Sequence, residues 1–327
     1  MHTLEDLQSL VSVAIDKEIN QLYQTEPGNL YEPIGYALSV GGKRLRPTMV
    51  LLGYSLFDEQ VENALPVATA IELFHNFTLL HDDIMDGAEM RRNNLSVYKK
   101  YSENVAILSG DAMSIMAYNA LLKSNSEALP SMIRLFSQTA LEVCEGQQFD
   151  MDFETRVDVS IPEYLRMIKL KTAVLLACSL KLGALAANAS EKIAGQLYDF
   201  GLNLGIAFQL QDDLLDVFAN QDKFGKKLGG DIVANKKTFL LLKALEISGE
   251  ETKTFIQEWI DKRDFDVNEK ITAITQKYNE LGIKEITESS IEEYYQAALN
   301  IFNEIQLPGE TKAGLLQLAT LIMNRDH

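Results

Sequence analysis

Cysteine is scarce in this sequence: Cys144 and Cys178 are the only two in 327 residues. Both sit in apolar helical patterns, so no disulfide framework is expected and a reducing compartment fits. Proline is nearly as scarce, with seven in the chain, and no Pro/Ser/Gly-rich stretch divides it. The economical expectation is one domain spanning 1–327. Positive charge is in deficit, with 30 Lys and Arg against 47 Asp and Glu, a formal net charge of −17. Such a surface repels nucleic acid and anionic membranes, so neither is an expected partner. No run approaches the ~18 uninterrupted apolar residues of a membrane span, which argues against stable membrane insertion. The opening Met1-His2-Thr3-Leu4-Glu5-Asp6 lacks a basic segment followed by an apolar run, so no signal peptide is read and a cytoplasmic location is expected.

Period-two alternation is scarce too, which leaves helical periodicity as the organising signal. Leu4, Leu7, Val11, Ala14 and Ile15 recur at spacings of three and four. Asn63 and Pro66 open a long helix, proline suiting a first turn where its missing N–H has no partner to lose. That helix runs through Ile71, Phe74 and Leu80 toward Asp86, and Gly87 ends it. Further helical stretches are expected near 104–123, 130–153, 162–187, 190–218 and 237–247, with a more charged helical tail from about 252. The fold class is therefore all-α.

One pattern occurs twice. Leu79-Leu80-His81-Asp82-Asp83-Ile84-Met85-Asp86 echoes Gln209-Leu210-Gln211-Asp212-Asp213-Leu214-Leu215-Asp216. In each, the first and last aspartates lie four apart, one above the other on a helix face. Like charges so placed destabilise a helix by a few tenths of a kcal/mol (~0.2–0.5), and the macrodipole at a helix C-terminus adds to the cost. Acidic residues at helix ends are commonly just solvated. Two such clusters, each flanked by apolar residues, call for a compensating cation, and hard carboxylate oxygens suit Mg²⁺.

Basic residues gather where an anion would need them. Gly41-Gly42-Lys43-Arg44-Leu45-Arg46-Pro47 places three cations on a glycine-rich entry to a helix, where backbone N–H groups face outward and Arg grips phosphate bidentately. Arg91 and Arg92 follow the first aspartate motif closely. Lys226 lies in the Gly225–Asp231 loop, and Lys236 just beyond it. Singly each is a surface cation; together, in so acidic a chain, they point to diphosphate binding. His75, seven residues before Asp82, shares its helix face.

These residues resemble the trans-isoprenyl diphosphate synthase (polyprenyl synthetase) family. Gly41–Pro47 is similar to its Gly-Gly-Lys-x-x-Arg-Pro segment, and Glu72–His75 to its Glu-x-x-His. The two aspartate motifs, the arginine pair, Gly146-Gln147-Gln148-Phe149-Asp150, Lys171-Thr172 and Phe208-Gln209 follow in the family's order. The motif-bearing core runs over about 40–240, with helices over about 250–327. Two departures stand out: Asn93-Asn94-Leu95 replaces a usual Gly-x-Pro, and Ala234-Asn235 a common Glu-Gly. Both put local loop shape in question rather than a charged ligand.

The resemblance implies a helical bundle with a deep central apolar pocket, working as a homodimer. It implies Mg²⁺, roughly three ions per active site with Mn²⁺ as a substitute. Asp82, Asp86 and Asp212 would ligate metal, supported by Asp83, Asp213 and Asp216. Arg91, Lys171, Lys226 and Lys236 would hold an allylic diphosphate (dimethylallyl, geranyl or farnesyl). Lys43, Arg46, His75 and Arg92 would hold isopentenyl diphosphate. Thr172 and Gln209 would border the reacting carbons. In the family, aromatics five and four residues before the first motif accompany fifteen-carbon products, and one at the deeper position twenty-carbon products. Phe77 and Thr78 occupy those positions here, so geranylgeranyl diphosphate is expected, with farnesyl diphosphate as runner-up. Phe74, Met113 or Met116 are alternative floors for the pocket. Competing readings are a terpene cyclase, which needs no second diphosphate site, and an acidic divalent-ion buffer, which needs no basic clusters. A non-catalytic subunit of a heteromeric long-chain synthase would lack carboxylates that both motifs here retain.

Overall fold

The computed structural model describes residues 2–219, 228–307 and 309–323. Helices dominate: α1 Leu4–Leu22, α2 Gly28–Ser39, α3 Leu45–Ser55, α4 Leu65–Met85, α5 Val97–Lys100, α6 Glu103–Leu121, α7 Leu129–Thr155, α8 Ile161–Ile168, α9 Val174–Ala186 and α10 Glu191–Phe218. Further helices follow at Phe239–Ile247, Glu250–Asp261, Val267–Glu280, Ile283–Glu304 and Gly309–Met323. The all-α expectation holds.

Strand structure among the described residues is one small ribbon, β1 Met90–Arg91 and β2 Asn94–Leu95, which the sequence pattern did not announce. Its two-residue turn, Arg92-Asn93, has positive φ at both positions (51° and 63°), as the primed turns of hairpins require. Asparagine tolerates that left-handed region, so Asn93 does there what a glycine would.

Contacts gather the chain into two compact units: Met1–Ser137 with Cys178–Tyr198 and Gln306–Leu315, and Gln138–Ala177 with Asp199–Ile305 and Leu316–His327. Helices α7, α9 and α10 each contribute residues to both.

In the first unit, α4 packs most extensively on α6. The buried face of α6 is Ala106, Gly110, Met113, Ala117 and Leu121, spaced at three and four as one helical stripe. Small residues there let α4 approach closely. On its several packed faces α4 buries Ile71, Leu73, Phe74 and Leu80, each gaining about 1.5–3 kcal/mol on leaving water. Pro66 stands in its first turn and Gly87, at φ 63°, just past its end.

In the second unit, Tyr164, Met167 and Ile168 of α8 join Ile206, Leu210 and Leu214 of α10 in a buried cluster with Phe239 and Leu242. Between α8 and α9 the backbone widens into a π-turn, Lys169–Ala173. A second cluster unites Leu240, Leu241, Ile256, Ile274, Tyr278 and Ile283 of the C-terminal helices.

Candidate active site

The first aspartate motif closes α4. Asp82 is half-buried and Asp86 exposed, and the Asp86 N–H bonds the Asp82 carbonyl at 2.8 Å, so the two carboxylates sit one turn apart. Asp83 points the other way and is buried. Both Nε and Nη2 of Arg91 donate to its Oδ1. Burial raises the Asp83 pKa, and the guanidinium opposes that rise. Arg91, expected to hold diphosphate, is therefore also tied to the motif from the β1–β2 ribbon.

Two basic segments converge in the same unit. Gly42 has φ 137°, a backbone that side chains rarely adopt, and the Arg92 guanidinium occupies the space beside it. Arg44 takes a left-handed backbone (φ 46°) and donates to Glu72 Oε1 and to the Leu38 carbonyl. Asn76 Nδ2 donates to the same Glu72 oxygen at 2.8 Å. Arg46 Nη1 lies 3.1 Å from His75 Nε2. Burial, then the charges of Arg46, Arg92, Arg91 and Arg44, hold the His75 pKa well below 6.5. The imidazole is thus neutral, and its Nε2 accepts a hydrogen bond from the Arg46 guanidinium. Lys43 and Arg92 are exposed.

Phe77 and Thr78 lie on α4 just below this motif. The Phe77 ring packs against Phe74 (centroids 5.5 Å) and His81 (4.8 Å), and Phe74 in turn meets Phe136 at 5.3 Å. Phe74 and Phe136 are buried, whereas Phe77 and Thr78 are only half-buried.

The second unit holds the other residues. Asp212 and Asp216 are half-buried near the end of α10, and Asp213 is buried. Asp213 accepts from the Tyr164 phenol at Oδ2 and from Gln209 Nε2 at Oδ1, 3.1 Å away. Burial raises its pKa to about 7 against the pull of those bonds. Gln209 Oε1 in turn accepts from Thr172 Oγ1 at 3.1 Å. Asp216 Oδ2 accepts from the Asp231 N–H at 3.0 Å. Lys171 bonds Asp150 Oδ2 at 2.5 Å, and a Cβ on Gly146 would stand 2.2 Å from the Lys171 backbone nitrogen. The Gly-Gln-x-x-Asp segment of α7 thus has two jobs: its glycine admits the π-turn, and its aspartate orients the lysine. Lys236 is exposed, and Lys226 lies outside the described residues.

The acidic donors are carboxylate oxygens only. Among the described residues no three His, Cys, Asp or Glu side chains form a ready-made cage. That arrangement fits Mg²⁺, which keeps water and takes one or two carboxylates plus substrate phosphate oxygens. Residue spacing alone did not reveal Arg44–Glu72, Asp150 or Tyr164 as partners of these side chains. Asp150 and Glu72 carried a signal as motif members, whereas Tyr164 was one aromatic among many on an apolar face.

Comparison with known proteins agrees with this geometry. The Polyprenyl synthetase family matches residues 27–278. A geranylgeranyl diphosphate synthase of Methanosarcina mazei is 41% identical over 247 residues, 75% of this chain and 76% of that protein. A short chain isoprenyl diphosphate synthase of Methanothermobacter thermautotrophicus is 31% identical over 328 residues, the full length of both. A crystal structure of a geranylgeranyl pyrophosphate synthase superposes with a TM-score of 0.92 at 44% identity, covering 99% of each chain. With the family match, the fold and the motif order in agreement, the chain belongs to the polyprenyl synthetase family and is a trans-prenyltransferase.

Proposed function

We propose that the enzyme condenses isopentenyl diphosphate with dimethylallyl, geranyl and farnesyl diphosphates and releases geranylgeranyl diphosphate. The observation that carries the twenty-carbon product is the pair Phe77 and Thr78: an aromatic ring five residues before Asp82, about 7.5 Å along the helix, with a small side chain one level nearer. The names of the similar synthases support the same length. A fifteen-carbon product is the runner-up.

Asp82, Asp86 and Asp212 hold Mg²⁺, with Asp83, Asp213 and Asp216 in support; Mn²⁺ is expected to substitute. Bound Mg²⁺ supplies Lewis-acid neutralisation of the departing diphosphate. Arg91, Lys171, Lys226 and Lys236 grip the allylic diphosphate, so the charge that develops as its C–O bond breaks meets fixed cations. Lys43, Arg46 and Arg92 hold isopentenyl diphosphate, and neutral His75 keeps Arg46 aimed at it. The isopentenyl double bond attacks the allylic cation, and the released diphosphate removes the proton that completes the new alkene. Thr172 and Gln209 border that carbon. Apolar walls exclude the water that would quench the cation.

The protein works as a homodimer of single-domain chains. An exposed stripe of Leu108, Ile115 and Leu122 at seven-residue spacing supports a partner on α6. Three of the boundaries between the two compact units fall inside α7, α9 and α10, which supports one domain. No helix among the described residues is long and apolar enough to cross a membrane. Neither cysteine is joined in a disulfide, which together with the acidic surface favours the cytoplasm. Purified protein with Mg²⁺, isopentenyl diphosphate and each allylic primer tests the whole reading. A twenty-carbon product is expected, and no turnover without a partner chain would favour the heteromeric-subunit alternative.

A further inference from the structure

Lys270, on the helix Val267–Glu280, is 1% exposed. No carboxylate lies within ion-pair distance of its ammonium among the described residues. Instead Nζ donates to Asn235 Oδ1 at 2.5 Å and reaches the Val233 carbonyl at 3.4 Å, above the Phe265 ring at 4.4 Å. A buried charge without a counter-ion is costly, and an apolar side chain would fill the same space without that cost. Burial accordingly lowers the Lys270 pKa. What the lysine holds is a turn of special shape. Asn235 has φ 53°, and its Nδ2 donates onward to the Ile260 carbonyl at 3.2 Å. Directly after it, the Lys236 N–H bonds the Asp231 carbonyl at 2.9 Å, and the Asp231 N–H bonds Asp216 at 3.0 Å.

We propose that Lys270 is a positioning residue for Lys236: through Asn235 and Val233 it locks the turn that aims the Lys236 ammonium at the allylic diphosphate. The proposal rests on the role given to Lys236 above. It assigns the C-terminal helices a part in substrate affinity that no motif residue marks.

Lys270→Met removes the lock while keeping the volume. Asn235→Gly removes Oδ1 while keeping the left-handed backbone, and covers the case in which the first variant fails to fold. Hydrogen exchange reads the lock directly, and the Lys236 amide is expected to exchange at least tenfold faster in either variant. Steady-state kinetics read its consequence. The KM for geranyl diphosphate is expected to rise about tenfold, one charge-assisted hydrogen bond, with the KM for isopentenyl diphosphate unchanged. Adding Lys236→Ala to either variant should then cost little more, since the two act as one unit. Unchanged exchange in both folded variants overturns the proposal, as does an equal rise in both KM values. Faster exchange with an unmoved geranyl diphosphate KM, in these variants and in Lys236→Ala alone, instead overturns the role given to Lys236, and with it the functional half of the proposal.

Discussion

Tyr164 donates its phenolic hydrogen to Oδ2 of Asp213, and both side chains are buried. The bond is the root of a chain that continues through Gln209 to Thr172, the two side chains proposed to border the reacting carbons. Tyr164→Phe keeps the ring in its cluster and removes only the donor. It should cost about 1–3 kcal/mol of stability, because a buried carboxyl loses a partner. It should also lower kcat about tenfold with both KM values little changed, because the chain orients groups at the carbons and not at the phosphates. A variant with full kcat at reduced stability would show that the chain serves packing alone.

Metal should matter for turnover and not for folding. Among the described residues the carboxylates form no closed cage, and the helical cores close without one. Asp82→Ala and Asp212→Ala are each expected to abolish product formation without lowering the thermal midpoint, since carboxylate repulsion is relieved. A chelator should stop turnover while leaving the far-ultraviolet circular dichroism intact. Near-normal turnover in either variant would sink the metal assignment.

His75 should leave a signature in acid. Its folded pKa lies well below 6.5, chiefly through burial and then through Arg46. The unfolded chain therefore binds this proton first as pH falls. The stability His75 contributes is complete above the unfolded value near 6.5 and is lost progressively toward the lower folded value. His75→Asn, which carries no titrating group, should show a flatter fall in stability between about pH 7 and pH 5. Denaturant midpoints measured across that range for both proteins give the difference; parallel curves would mean the imidazole is not held neutral.

Product length should follow the two side chains below the first motif. Phe77→Ala is expected to lengthen the product beyond twenty carbons, and Thr78→Phe to shorten it toward fifteen. Mass analysis of dephosphorylated products reads both. The half-buried Phe77 ring rests on Phe74, so an active Phe77→Ala enzyme with an unchanged product would move the floor to Phe74 or another neighbour.

Asn93 and Asn235 mark the line between what was legible in the chain and what was not. Both stand where the family pattern usually has glycine, and as letters they raised doubt about loop shape. Both prove to occupy left-handed backbone, at φ 63° and 53°, so the turns survive the replacement. For Asn235 the side chain does more than glycine could, because Lys270, thirty-five positions away, uses it as an anchor.

The sequence by itself determined most of the helices and the reaction class. Three-and-four spacing of apolar residues depends only on local helix geometry, and the ordered motifs carry their charges wherever the chain places them. The helices, the paired aspartates, the basic clusters and the family were readable for that reason. Only the tertiary structure decided which side chain answers which. Asp83 with Arg91, Glu72 with Arg44, Asp150 with Lys171, Tyr164 with Asp213 and Lys270 with Asn235 are pairings between separate segments. Each exists because burial makes an unanswered polar group costly, and which groups are buried together is settled by packing, which no periodicity along the chain records.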